Sequence, residues 1–271
     1  MKKFYKICGV IIFIGIILLV VGKINHGNKS ISDVHSGFFT GINNGSHRKK
    51  KSDYHYQTIN TASFTKVKFS AFQSDVRVTL GKKYQVKISG SNIKNIEAKV
   101  KNKELFITDK NDPSYDDCDI VITVPQINAL KEVSGSSSDG DILLNDLNIP
   151  QIDLKQDTGD LVLKEINTRN AQLFLDSGDL KILNSKFKIN ASLQDGDAKI
   201  ANSEITGDSY FKMQDGDFNM TSLQEISSDF YVNSDSKISY KGKTKSLHYT
   251  HIDPSLPKLK VVCRDGDINI A

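Results

Sequence analysis

The feature that most constrains this chain is a dipeptide that returns at a nearly fixed interval. Gly-Asp occurs at Gly140-Asp141, Gly159-Asp160, Gly178-Asp179, Gly196-Asp197 and Gly216-Asp217, at spacings of 19, 19, 18 and 20 residues. Ser236 follows Gly216 by 20 residues in a degenerate copy, NSDSKISY, and a last copy, RDGDINI, contains Gly266. Self-similarity at a short period marks a structure built by stacking one unit on the next.

Apolar residues stand at matching offsets from each turn. Two and four positions after the Gly come Ile142 and Leu144, Leu161 and Leu163, Leu180 and Ile182, Ala198 and Ile200, Phe218 and Met220, and Ile268 and Ile270. Seven, five and three positions before it come Ala171, Leu173 and Leu175, then Ile189, Ala191 and Leu193, then Leu259, Val261 and Cys263. Alternation with period 2 on both sides of a turn predicts two short strands per repeat. Asp-Gly supplies the turn, because Gly accepts positive φ and Asp can bond backbone nearby.

The period is too short for a four-stranded propeller blade and the leucine-rich consensus is absent. The expected fold is therefore all-β: a single-stranded parallel β-helix or β-solenoid with coils of about 19 residues. Stacked coils would pair each strand with the one above and below, and right-handed winding is the default for parallel crossovers. Residues 135–271 hold the regular repeats. Residues 61–134 read as a less regular first part of the same body, with a separate sandwich-like subdomain as the alternative. Around Ser74-Asp75, Val67, Phe69 and Ala71 precede while Val76, Val78 and Leu80 follow, as the template requires. Tyr249 to Lys258, with Pro254 and Pro257, reads as the loop that lengthens the final interval.

The repeated S/D-G-D turn followed by alternating apolar residues, from about Phe64 to Ala271, resembles the "putative adhesin" family of bacterial β-strand-repeat proteins, which includes LiaG-like cell-envelope proteins. The resemblance implies a surface-exposed, non-catalytic β-solenoid at the envelope of a Gram-positive bacterium, and it brings no catalytic residues. The chain departs from the pattern at Ser236-Lys237 and in the 30-residue interval before Gly266.

Ahead of the repeats, Ile7 to Val21 is an unbroken run of 15 apolar residues or Gly. Residues 4–24 would span roughly 31 Å as a helix, enough for one bilayer crossing. Lys2, Lys3 and Lys6 precede the run, which places the N-terminus in the cytoplasm and the rest of the chain outside. A cleaved signal peptide is the competing reading. An uncleaved signal anchor is favoured, because no small-x-small site follows Val21 closely and Cys8 stands at the wrong end for lipoprotein processing. Residues 1–24 are thus read as cytoplasmic tip and anchor, and residues 25–60 as a flexible basic linker. His26, His35, His47 and His55 fit no ligand spacing, and Arg48 to Lys51 reads as a solvated basic run.

The 271 residues carry a net charge of +4 that conceals unlike parts. Residues 1–60 hold +7, residues 61–134 hold +3, residues 135–240 hold −9 and the remainder +3. Stacking would bring the turn carboxylates into a ladder, where neighbours about 5 Å apart repel by roughly 0.8 kcal/mol in water-like dielectric. A bound Ca²⁺ could relieve that repulsion, with Asp157, Asp160, Asp176, Asp179, Asp195, Asp197, Asp215 and Asp217 as candidate ligands. The nine-residue calcium repeat is absent, so ordinary turn chemistry is the main reading and no cofactor is expected.

A polysaccharide-cleaving β-helix would need convergent carboxylates in a cleft. Here the Asp residues are spread over the coils, Trp is absent, and Phe174, Phe187, Phe211, Phe218 and Tyr231 fall at several offsets. Catalytic residues are therefore none. Cys118 and Cys263 share the parity of inward residues and read as core, although a disulfide stays open. His248 and His251 are assigned to the proline loop. The expected function is a membrane-anchored extracytoplasmic binding module, with an envelope-stress signalling accessory and a glycan-active enzyme as alternatives. Its partners would be the lipid bilayer and a surface protein or cell-wall polymer, and not nucleic acid.

Overall fold

Alternating apolar residues become strands here because one side chain in two can enter a shared core while the backbone pairs sideways. The computed structural model describes residues 54–110, 118–222 and 224–271. Its first strands are β1 (His55–Asn60), β2 (Lys66–Ala71), β3 (Ser74–Leu80), β4 (Gln85–Gly90), β5 (Ile96–Lys101), β6 (Glu104–Asp109) and β7 (Cys118–Val124). The regular part comprises β8 (Glu132–Asp139), β9 (Ile142–Asn148), β10 (Gln151–Thr158), β11 (Leu161–Asn167), β12 (Asn170–Ser177), β13 (Leu180–Leu183) and β14 (Lys186–Phe187). It continues with β15 (Ile189–Asp195), β16 (Ala198–Ala201), β17 (Glu204–Ile205), β18 (Ser209–Asp215) and β19 (Phe218–Thr221). The last strands are β20 (Ser227–Val232), β21 (Ile238–Tyr240), β22 (Lys243–Lys245), β23 (His248–His251), β24 (Lys258–Asp265) and β25 (Ile268–Ile270).

The strands form two sheets, one of 11 strands that contains β8 and one of 14 that contains β9. Each coil gives one strand to each sheet, and a Gly-Asp turn joins the two in the coils β8–β9, β10–β11, β12–β13, β15–β16, β18–β19 and β24–β25. Coils stack in parallel register, with Ile152 beside Ala171, Ala171 beside Ile189 and Phe211 beside Val261 in the first sheet. In the second, Leu161 lies between Ile142 and Leu180. Strands β2 to β7 lie on the same two sheets as the repeats, since β2 pairs with β8 and β3 with β9.

Between the sheets lies one continuous hydrophobic core. Volume is balanced between neighbouring coils: Gly135 takes an inward position because a Cβ there would stand 2.6 Å from the Phe69 ring. Ala191 and Ala198 leave room for Phe211 and Phe218, whose rings meet edge to face with centroids 5.0 Å apart. Phe187, Phe211 and Phe218 are buried, as are Cys118 and Cys263. The two cysteines belong to different sheets, with six strands between β7 and β25 in the second sheet, so no disulfide can join them.

Coil order differs from the sequence reading at both ends. The β6–β7 coil stacks outside the β2–β3 coil, so β2 and β3 lie between β6–β7 and β8–β9. At the other end the last coil, β24–β25, inserts between β18–β19 and the degenerate β20–β21 coil. The coil around Gly266 therefore follows that around Gly216 in space. Antiparallel strands close both ends: β5 on β6 and β4 on β7 at one, β23 on β20 and β22 on β21 at the other. Such caps stop further coils from adding to an open parallel edge.

Three smaller corrections follow from the caps. Residues 55–60, read as linker, form β1 and pair with β4. Tyr249 to His251, read as loop, belong to the cap strand β23. Leu80, placed inward by its parity, is 38% exposed at the end of β3. The apolar span of residues 4–24, Cys8 and the linker up to residue 53 lie outside the described residues. Among the described residues no helix is long and apolar enough to cross a membrane.

Candidate functional site

The Gly-Asp turns stack directly on one another and form a ladder of side-chain to backbone hydrogen bonds. Asp75 Oδ1 accepts the N–H of Asp141 at 2.8 Å, and Asp141 Oδ1 that of Asp160 at 2.8 Å. Asp160 Oδ1 accepts from Asp179 N at 3.0 Å, Asp179 Oδ1 from Asp197 N at 3.1 Å, and Asp197 Oδ1 from Asp217 N at 2.8 Å. Asp217 Oδ1 accepts from Asp267 N at 2.8 Å, and Asp267 Oδ1 from Lys237 N at 2.8 Å. The carboxylates tolerate one another because each faces a backbone donor of the next coil.

The glycine before each ladder Asp other than Asp75, which follows Ser74, is required twice over. Gly159 has φ +113°, and a Cβ on it would stand 2.6 Å from the carbonyl oxygen of Gly140 in the coil beneath. Gly140, Gly178, Gly196, Gly216 and Gly266 also take positive φ, each against the turn of the neighbouring coil. Where Gly is replaced by Ser236, the turn between Val232 and Ile238 takes one more residue than that between Cys263 and Ile268. The longer turn avoids a positive φ, and Ser236 Oγ accepts the N–H of Gly266 at 3.1 Å.

The ladder divides the calcium candidates into two groups. Asp160, Asp179, Asp197 and Asp217 each give one oxygen to a backbone amide. Asp157, Asp176, Asp195 and Asp215 lie ahead of the glycine, with Asp157 paired to Lys155 at 2.9 Å and Asp195 beside Asp215 across β15 and β18. Among the described residues no three His, Cys, Asp or Glu side chains gather as a metal-holding group. Burial raises the Asp141 carboxyl above the usual carboxylate range, against the lowering effect of the Asp160 N–H. Burial also opposes the charge on Lys181, but contacts with Asp160 at 2.6 Å and Asp179 at 3.3 Å outweigh it and raise its pKa.

Three surface hollows lie on the stack. One of about 410 Å³ lies over the ladder, between Asp179, Lys181, Asp197, Lys199 and Asn219. Another, of about 660 Å³, runs along Asn184-Ser185, Asn202-Ser203 and Thr221-Ser222, where Ser203 Oγ accepts the Ser185 N–H at 3.0 Å. The third, about 370 Å³, lies on the outer face of the first sheet and is lined by Asp153, Lys155, Gln172, Phe174, Asn190, Ser192, Tyr210 and Lys212. Phe174 and Tyr210 stand on this face partly buried. Their even offsets from Gly178 and Gly216 are the parity opposite to the core columns, and that was the sequence signal for an outward aromatic pair. Near the second cap, Asp229 bonds His248 at 3.2 Å and Lys258 at 3.0 Å. Burial works against the Asp229 charge, but these two partners hold its carboxyl below the usual range.

Comparison with known proteins matches the Toastrack DUF4097 family to residues 58–271. Among solved structures, an adhesin from Bacteroides fragilis described as putative shares 15% identity, covers 82% of this chain and 98% of its own, and superposes with a TM-score of 0.43. A putative lipid binding protein from Parabacteroides distasonis shares 15% identity over 82% of this chain and 98% of its own, with a TM-score of 0.47. A putative cell adhesion protein from Clostridium sporogenes shares 14% identity over 80% of this chain and 97% of its own, with a TM-score of 0.33. No curated protein sequence matches the chain. With the family matched across nearly the whole of the two-sheet stack, the chain belongs to the Toastrack DUF4097 family.

Proposed function

We propose that this protein is a non-catalytic binding module of the cell envelope, held at the outer surface of the membrane by residues 4–24. The observation that carries the binding reading is the use made of the acidic side chains. In a catalytic β-helix two carboxylates converge on one bond of the substrate, whereas here the repeat aspartates point along the stack and hold the amides of neighbouring coils. What the stack offers instead is a many-stranded sheet face on which outward side chains recur in register from coil to coil. In this reading the coils wind right-handed, the module is adhesin-like and related to LiaG-like envelope proteins of Gram-positive bacteria, and residues 25–53 tether the stack to the bilayer.

The test is accessibility in intact cells that express the full chain. The protein should sediment with membranes, and protease added from outside should release a β-rich fragment cut within residues 25–53. A chain recovered in the soluble fraction, or protected until the cells are lysed, would overturn the anchored reading.

A further inference from the structure

We propose that the outer face of the first sheet binds a linear polysaccharide that carries carboxylates on some of its rings. The inference deepens the binding-module reading and rests on it.

Two columns of outward side chains cross neighbouring strands. One runs Asp153, Gln172, Asn190, Tyr210 and Lys260 over β10, β12, β15, β18 and β24. The other runs Lys155, Phe174, Ser192 and Lys212 over the first four of these strands. The hollow of about 370 Å³ lies between the two parallel columns and is lined by both. Phe174 and Tyr210 lie two strands and two residues apart, about 12 Å diagonally from the spacings of a sheet. That diagonal suits two rings of one sugar chain.

The residue types name the ligand. Aromatic rings take the apolar C–H face of a pyranose, and the amides of Gln172 and Asn190 with the hydroxyl of Ser192 provide donors and acceptors for ring hydroxyls. Lys212 makes no ion pair among the described residues. Lys260 lies over the Tyr210 ring at 5.6 Å, where a ligand carboxylate can draw it aside, while Lys155 lies over the Phe174 ring at 5.7 Å and is held by Asp157 at 2.9 Å. A lipid or a protein partner would require a broader apolar patch than two isolated rings. The acidic turns beside the sheet disfavour a chain as densely charged as nucleic acid.

The experiment titrates the full chain, in detergent micelles, with a hyaluronan hexasaccharide, which bears one carboxylate for every two rings. Chitohexaose serves as the neutral control and hexagalacturonate as the fully charged one. The hyaluronan probe should bind at least threefold more tightly than either control and weaken as salt rises. Phe174→Ala with Tyr210→Ala should weaken it at least tenfold. Lys212→Gln should remove the preference over chitohexaose, while Tyr231→Ala, outside the hollow, should change nothing. Ser192→Arg fills the hollow without removing a ring and should also abolish binding, which covers the case of a misfolded double variant. No binding at millimolar hyaluronan oligosaccharide, or binding that survives both the double variant and Ser192→Arg, would overturn the proposal. A protein found away from the membrane would overturn the anchored reading and leave this titration standing, whereas a failed titration on a correctly placed protein overturns this inference alone.

Discussion

Asp160 accepts the backbone N–H of Asp179 through Oδ1 at 3.0 Å and the Lys181 ammonium through Oδ2 at 2.6 Å, so a single carboxylate joins two coils by both of its oxygens. Asp160→Ala removes both contacts and leaves an amide without its acceptor, at an expected cost of about 2 kcal/mol. Asp160→Asn keeps a carbonyl oxygen for the Asp179 N–H and should cost less than half as much. Urea denaturation of the two variants separates them. Equal losses would mean that charge, rather than the hydrogen bond, holds the ladder.

The turn glycines differ in how strictly they are required, and two of them make a clean comparison. Gly178 has φ +125° and sits against the Gly159 carbonyl, whereas Gly242 has φ +71° and a Cβ there would meet nothing within 4 Å. Gly242→Ala should cost about 1 kcal/mol from left-handed backbone strain alone. Gly178→Ala adds a steric collision in a backbone region that is nearly glycine-only, so its cost should exceed about 3 kcal/mol. The shift in urea midpoint reads both.

Asp141 and Glu97 pull stability in opposite directions as pH changes. Burial raises the folded-state pKa of Asp141, so the folded state holds its proton more tightly than the unfolded chain, and this contribution is lost as pH rises through the carboxylate range. Hydrogen bonds from Lys99 and Lys110 lower Glu97 to about 2, so its contribution is present above the usual glutamate range and is lost as pH falls towards that value. Asp141→Asn should therefore remove a decline in stability that sets in as pH rises past the usual aspartate range. Urea midpoints measured across that window check the sign. An unchanged profile would show that Asp141 titrates as it does in the unfolded chain.

The buried thiols should be inert until the stack opens. Burial pushes Cys263 up to about 12, with Asp217 and Asp267 adding to the effect, and Cys118 is 2% exposed. At pH 8 neither should react with a disulfide reagent in the native protein, and both should react in urea. With Cys8 replaced by Ser, a native intramolecular cross-link on a non-reducing gel would contradict the separation of the two residues.

Much of the stack could be read from spacing. The offsets that put Leu161 and Leu163 on one side and Leu173 and Leu175 on the other fix which residues face the core, because strand parity admits two answers and hydrophobicity selects one. The same parity distinguishes Phe174 and Tyr210 as outward, a pair that the sequence reading did not single out. Coil order was harder to see, since an inward residue at a given offset fits any neighbour in the stack. One signal was present in the turns. Each ladder Asp accepts from the next coil, so a coil with Lys237 in that place can donate but cannot accept, and it belongs at the end. The caps β5 and β23 were hidden because their exposed faces carry no regular apolar pattern, and pairing with a neighbour alone defines them.

The inserted coil makes residues 258–271 interior to the stack, although they come last in the sequence. β24 is paired on both sides, by β18 and β20, and β25 by β19 and β21. In a solenoid stacked in sequence order, stability falls towards the final coil and its amides exchange first. Here the amides of Val261 and Ile268 should exchange as slowly as those of β15, and those of the cap strands β22 and β23 much faster. Removing residues 258–271 should leave β18 and β19 with open edges and strip β20 and β21 of the strands they pair with, so the remaining chain should lose its cooperative unfolding transition and aggregate. Hydrogen exchange read by mass spectrometry tests the first expectation and a urea titration of the shortened chain the second. Rapid exchange at both Val261 and Ile268, together with an intact transition in the shortened chain, would put this coil at the end of the stack.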